Sequence, residues 1–435
     1  MIPAPTLAEA HARPVEALEA SLARIEALNG RLNAVLDLAP GARAEAEAAG
    51  ARRKAGASLS ALDGVPVLVK ANIAVRGLPW HAGIGAYRDR IAGEDAAVVA
   101  RLRAGGAVIL GTLNMEEGAL GAVTDNAHFG RCFNPWGEGL TPGGSSGGSG
   151  AAAAAGFAPV TLGTDTMGSV RIPAAYCGLC GHKPSRGAVP VEGVIPLSYS
   201  LDHVGPIARR AADLAPAFAV LSGLPVRAVD RPLAGKRVGR WRFETEMDVR
   251  SDVMRAFEAA LMLLREQGAQ IVDIRFKRYA FGQSRREGLI ISEWEGYAEH
   301  AAVMAENPQG FSDSFTKMLQ WGAKQGEARY REALGVLDAS GLDAADAFTR
   351  VDFIAAPTAL EPAFRFGEPI PASQADLTAF ADFAGIPSTS VPMGLSRERL
   401  PLGLQIMAPA GGDFAGIVAA AAFEAARGDF AQAEL

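Results

Sequence analysis

Two short turns and one lysine hold the residues best suited to acyl chemistry. The first turn is Gly143-Gly144-Ser145-Ser146-Gly147-Gly148-Ser149-Gly150. The second runs Gly163-Thr164-Asp165-Thr166-Met167-Gly168-Ser169-Val170-Arg171-Ile172-Pro173. Apolar Val160-Thr161-Leu162 feeds this second turn, so Ser169 falls just past a predicted strand end. Small residues before a nucleophile let consecutive backbone N–H groups point at one spot, which is how an oxyanion hole is built. A serine nucleophile needs a base, and a desolvated, neutral lysine can serve. Lys70 closes the apolar run Val67-Leu68-Val69. Together the turns and the lysine suggest a Ser–Ser–Lys arrangement in which histidine is unnecessary.

Other motifs fit less well. No Gly-x4-Gly-Lys-Ser/Thr phosphate loop occurs. Gly148-Ser149-Gly150-Ala151-Ala152-Ala153 matches a dinucleotide fingerprint in letters, but a Gly/Ser loop precedes it instead of a strand. Gly143-Gly144-Ser145-Ser146-Gly147 matches Gly-x-Ser-x-Gly, yet it also follows a loop and not the strand that a nucleophile elbow requires. Cys177-Gly178-Leu179-Cys180 is a single CxxC, and a structural zinc site takes four ligands. These cysteines read as small core residues.

The elements that must position these residues alternate. Residues 6–55 read as two polar-faced helices, with Leu18, Leu22, Ile25 and Leu28 at helical spacing. Residues 64–70 read as a buried strand, 96–104 as a helix and 107–111 as a strand. Residues 125–150 read as loop, 150–156 as an Ala helix, 159–162 as a strand and 163–169 as a polar turn. Such alternation predicts an α/β fold. From about 230 to 350 helical patterns dominate, over 252–267 and 327–337. Strands return at 351–357, 390–392 and 403–407. The pattern predicts one domain over 1–435, with a helical insertion at about 230–350.

Composition sets the frame. The chain has 435 residues, 49% hydrophobic and 21% charged, which excludes wholesale disorder. The net charge of −6 is spread without like-charge blocks and argues against a nucleic-acid or membrane-surface role. Cys132, Cys177 and Cys180 are too few for a secreted disulfide framework. Met1-Ile2-Pro3-Ala4-Pro5 lacks the basic and apolar regions of a signal peptide. The run 151–162 is too short for a membrane span. A cytoplasmic enzyme is the expectation.

The two Gly/Ser turns closely resemble the signature of the amidase signature family. Gly64-Val65-Pro66 through Lys70 resembles the family's lysine strand, and Asn126, His128, Gly130 and Asn134-Pro135 its pre-signature loop. Cys177 to Pro184, Leu201 to Pro206 and Pro401-Leu402-Gly403-Leu404-Gln405 continue the likeness. The resemblance implies a mixed sheet covered by helices on both sides. It implies Ser169 as nucleophile, with Ser145, reached through a cis bond from Gly144, bridging to Lys70 as base. It implies oxyanion N–H groups from Thr166, Met167, Gly168 and Ser169, and neither metal nor cofactor. Three positions depart from the family: Ala71 and Ala74 stand where acidic residues are common, and Met167 where Gly is usual.

The implied activity is hydrolysis of the C–N bond of a small-molecule carboxamide or ureido compound. Three alternatives stay open. One is the A subunit of a tRNA-dependent amidotransferase, which alone would bring nucleic acid and partner chains. Another is a biuret- or allophanate-type hydrolase. The third is a non-catalytic binding subunit. The sequence leaves open whether the chain forms a homo-oligomer. Met115, Tyr176 and residues 294–297 are candidate pocket residues.

Overall fold

Val67, Leu68 and Val69 are fully buried, and their side chains alternate between two cores. Val67 and Val69 pack with Val98, Val99 and Leu102 of helix Ala97–Ala104. Leu68 packs with Leu18 and Ile25 of helix Pro14–Leu32 and with Ala151 and Ala152 of helix Gly147–Ala154. A strand buried on both faces reads as a continuous apolar run, as here. Burying one such side chain contributes about 1.5–3 kcal/mol. The computed structural model describes residues 4–435; Met1–Pro3, part of the segment read for a leader, lie outside the described residues.

The strands are β1 (Val35–Leu38), β2 (Pro66–Lys70), β3 (Val108–Leu113), β4 (Asp125–Asn126), β5 (Gly130–Arg131), β6 (Val160–Asp165) and β7 (Cys180–Lys183). They continue as β8 (His203–Ala208), β9 (Arg237–Trp241), β10 (Gln270–Ile274), β11 (Phe353–Pro357), β12 (Ser388–Leu395) and β13 (Pro401–Met407). Eleven form one mixed sheet in the order β1-β3-β2-β6-β8-β7-β12-β13-β11-β9-β10, and β4 and β5 form a separate hairpin. β2 runs parallel to both β3 and β6, whereas β6 and β8 are antiparallel. Helices flank the sheet on both sides, so the fold is the mixed α/β class that the sequence predicts.

Several boundaries differ from the sequence reading. The two helices expected over 6–55 are three, Leu7–Ala12, Pro14–Leu32 and Ala42–Lys54, with β1 between the last two. Proline lacks the N–H that a continuing helix needs, so Pro14 starts a new helix. The polar turn at 163–169 is shorter, because Gly163, Thr164 and Asp165 continue β6 against β8. The helical stretch 230–350 contains β9 and β10 at the sheet edge. The helix expected over 327–337 is interrupted there: one helix ends at Ala333 and the next begins at Gly335.

Candidate active site

Lys70 is the last residue of β2, and the end of β6 lies beside it. Its Nζ is 2.7 Å from Ser145 Oγ and 2.7 Å from Thr164 Oγ1. Lys70, Ser145 and Thr164 are all buried. The structure therefore joins Lys70 to Ser145 directly. Burial pushes the Lys70 pKa down to about 7, against the opposing pull of Asp202, Asp165 and Glu116. Acidic residues are missing at Ala71 and Ala74, yet three other carboxyl groups face the lysine, and desolvation outweighs them.

The Gly/Ser segment is no linker. The Gly144–Ser145 peptide bond is cis. Ser146 Oγ donates to the Thr164 carbonyl at 3.1 Å and accepts from the Thr164 N–H at 3.2 Å. Ser149 Oγ donates to the Leu162 carbonyl at 2.9 Å, and Thr161 Oγ1 donates to the Ser149 carbonyl at 3.0 Å. The Glu116 N–H donates to the Ser145 carbonyl at 3.0 Å. These bonds clamp Ser145 between β6 and the 114–124 loop. At Gly148 a side chain would collide with the Asn114 carbonyl, so only glycine permits the approach.

Ser169 lies half-buried four residues beyond the end of β6, just before helix Arg171–Tyr176. Its hydroxyl makes no hydrogen bond among the described residues. Asp165 organises the turn: its carboxylate accepts from the Gly168 N–H at 2.5 Å, from the Val170 N–H at 3.1 Å and from Arg171 at 3.0 Å. Arg171 also reaches Asp382 at 2.6 Å and the Thr378 carbonyl at 2.8 Å. Although burial raises it, Asp165 is held well below the usual carboxylate range by Arg171 and the N–H donors. Asp382 is pushed up to about 8 by burial and by Asp165. One guanidinium thus bridges the two carboxyl groups.

The four N–H groups expected for an oxyanion are not equivalent. Gly168 spends its N–H on Asp165. The N–H groups of Thr166, Met167 and Ser169 have no acceptor among the described residues. Gly168 itself has φ +134, and a side chain there would strike Thr378 Oγ1. That hydroxyl instead donates to the Met167 carbonyl at 2.6 Å.

Sequence reasoning misses Thr164 as a contact of the lysine. The available signal is its place one residue before Asp165 in the strand parallel to β2. Asn72 Nδ2 also donates to Thr164 Oγ1, at 3.2 Å. Of the candidate pocket residues, Met115 and Tyr176 are core side chains. The Tyr176 hydroxyl accepts from Gln374 at 3.2 Å, and Trp294 stacks on Tyr330 with centroids 5.5 Å apart. Cys132, Cys177 and Cys180 are free and buried. No described helix is long and apolar enough to cross a membrane.

Comparison with known proteins gives a consistent result. The family model described as Amidase matches residues 16–415. The A subunit of glutamyl-tRNA(Gln) amidotransferase from Anaeromyxobacter sp. (strain K) is 38% identical, over 90% of this chain and 88% of that protein. A chain of a solved vestigial protein complex, one that reveals the evolutionary origins of an s-triazine catabolic enzyme, superposes with a TM-score of 0.89 at 30% identity, over 99% of this chain and 98% of that one. The native peptide amidase of Stenotrophomonas maltophilia superposes with a TM-score of 0.84 at 29% identity, over 97% and 96% of the two chains.

Proposed function

This chain belongs to the amidase signature family, and from that premise we propose that it hydrolyses the C–N bond of a carboxamide through Ser169, Ser145 and Lys70. The contact that carries this reading is the 2.7 Å approach of a buried, pKa-lowered Lys70 to Ser145 Oγ. Neutral Lys70 takes the Ser145 proton as Ser145 takes that of Ser169. Ser169 Oγ attacks the carbonyl carbon. The free N–H groups of Thr166, Met167 and Ser169 face the developing oxyanion, and Gly168 acts through Asp165 to hold the turn. Ser145 then passes a proton to the leaving nitrogen, and ammonia or an amine departs. Water attacks the acyl-enzyme, losing its proton through the same relay, and the carboxylic acid leaves with Ser169 restored. Each donor in such a hole contributes about 2.7–4 kcal/mol to the transition state.

Glutamine is the amide that the sequence likeness supports first, with this chain as the A-type component of an amidotransferase and partner chains needed for full activity. Ureido compounds of the biuret or allophanate kind come second, supported by the likeness to a chain of the vestigial complex that bears on the origins of an s-triazine catabolic enzyme. We place the protein in the cytoplasm, a reducing compartment that suits three free cysteines. Ammonia release decides among these readings, measured on glutamine, simple carboxamides, peptide amides and biuret, with and without partner chains. Glutamine turnover that depends on partners supports the amidotransferase. Turnover of another amide by the chain alone supports a stand-alone amidase. No turnover of any amide, with no labelling of Ser169, overturns the enzymatic reading in favour of a binding role.

A further inference from the structure

Helices Gly282–Glu306 and Asp313–Ala333 carry a second feature with chemistry of its own. A cavity of about 520 Å³ lies between them, lined by Glu293, Arg286, Lys317, Trp321, Leu289 and Met318. Glu293 is only 5% exposed, and its Oε2 is sealed from solvent without a hydrogen-bond partner. A buried, unpartnered carboxyl oxygen is destabilising unless something binds it. Gly322 explains how the group came to be there: a side chain at that position would strike the Glu293 backbone and Cβ, so the helices close over the carboxyl.

The rest of the cavity is complementary. Arg285 is already committed to Asp376 at 2.6 Å. Arg286 and Lys317 make no ion pair or hydrogen bond among the described residues, and both are exposed. Trp321 is 41% exposed, with Leu289 and Met318 as the other apolar walls. The cavity thus offers an acidic floor, apolar sides and a cationic rim.

We propose that this cavity binds a small amino-carboxylate: its ammonium on Glu293, its apolar body against Trp321, Leu289 and Met318, and its carboxylate at Arg286 and Lys317. Burial raises the Glu293 pKa to about 8, so the empty site is mostly protonated at neutral pH. An ammonium guest stabilises the carboxylate, and a proton is released on binding. The site stands whether or not Ser169 is the nucleophile, since none of its residues belongs to the proton relay.

Titration calorimetry of the full chain at pH 7 tests it with three probes: L-phenylalanine, 2-phenylethylamine and 3-phenylpropanoate. L-phenylalanine is expected to bind most tightly and to release protons, seen as a binding heat that varies with the buffer's ionisation enthalpy. Glu293→Gln should weaken both amines by about tenfold or more, the scale of one charge-assisted hydrogen bond. Lys317→Ala, an exposed change that keeps the fold, should weaken L-phenylalanine and leave 2-phenylethylamine unchanged. Absence of saturable amine binding, equal affinity for 3-phenylpropanoate and L-phenylalanine, or unchanged binding by Glu293→Gln would each overturn the proposal.

Discussion

Lys70 Nζ stands 2.7 Å from Ser145 Oγ, with both side chains sealed from solvent. The amine's second contact is also a hydroxyl, Thr164 Oγ1, at 2.7 Å. Neither neighbour carries charge, so no ion pair fixes the ammonium form in place. The carboxyl groups of Asp202, Asp165 and Glu116 act on it only through space. This is a setting for a lysine that takes up a proton and gives it back.

The pH dependence follows from that pKa. Below about 7 the lysine is protonated and cannot accept from Ser145; above it the relay is open. Activity should therefore rise with pH, about tenfold per unit below the pKa, and level off above it. Lys70→Ala should cost about 10²–10⁴-fold in kcat and lose this limb. The check is the pH profile of acylation with an activated amide or ester. An identical limb in Lys70→Ala would assign it elsewhere, with His182 and His203 the first to examine.

Thr164→Val keeps the shape and removes the hydroxyl that accepts from Lys70 and Asn72. The variant should fold and turn over more slowly, because Nζ loses one of its two anchors. Its ascending limb should move to lower pH. An acceptor favours the charged lysine, and deleting it depresses the pKa further. A limb shifted to higher pH would show that Thr164 plays another part.

Ser145→Ala and Lys70→Ala cut one proton path at two points. Each single change should cost about as much as both together, as for groups that act as a unit. Comparing kcat/KM of the two single variants and the double variant measures the coupling. Losses that simply multiply would mean the two side chains work independently.

Met167 and Gly288 form a second coupled pair. A Cβ on Gly288 would lie 2.7 Å from Met167 Sδ and would also strike the Phe383 ring. The methionine two residues before Ser169 thus rests on a helix face kept clear by a glycine. Gly288→Ala should displace Met167, lower stability by about 1–3 kcal/mol through overpacking and reduce kcat. Met167→Ala should restore activity in the Gly288→Ala background and widen the range of acyl groups accepted. Without rescue in the double variant, the loss would have to come from Phe383.

The part of the site legible in the sequence is the part encoded locally. Ser145 and Ser169 announce themselves through the glycines and hydroxyl residues around them, and Lys70 through the apolar run before it. Thr164 is not legible as the lysine's second contact. That contact joins residues far apart in sequence, and only the parallel register of β2 and β6 brings them together. The engagement of the Gly168 N–H with Asp165 is hidden for a similar reason, since a carboxylate near an oxyanion turn reads equally well as solvent-facing. In the fold, β9 and β10 are lost among helices. β10 is the edge strand and β9 its neighbour, and Arg237, Gln270 and Asp273 are exposed, which dilutes the apolar pattern of a strand.

Covalent labelling of the nucleophile is the most direct test of the relay. The wild-type chain, Ser169→Ala and Lys70→Ala are treated with a fluorophosphonate, and the labelled peptide is mapped by mass spectrometry. A single adduct on Ser169 is predicted in the wild type, formed much more slowly in Lys70→Ala and absent from a folded Ser169→Ala that no longer turns over amides. An adduct on Ser145, or substantial amide turnover by folded Ser169→Ala, would contradict the assignment of Ser169 as the attacking residue.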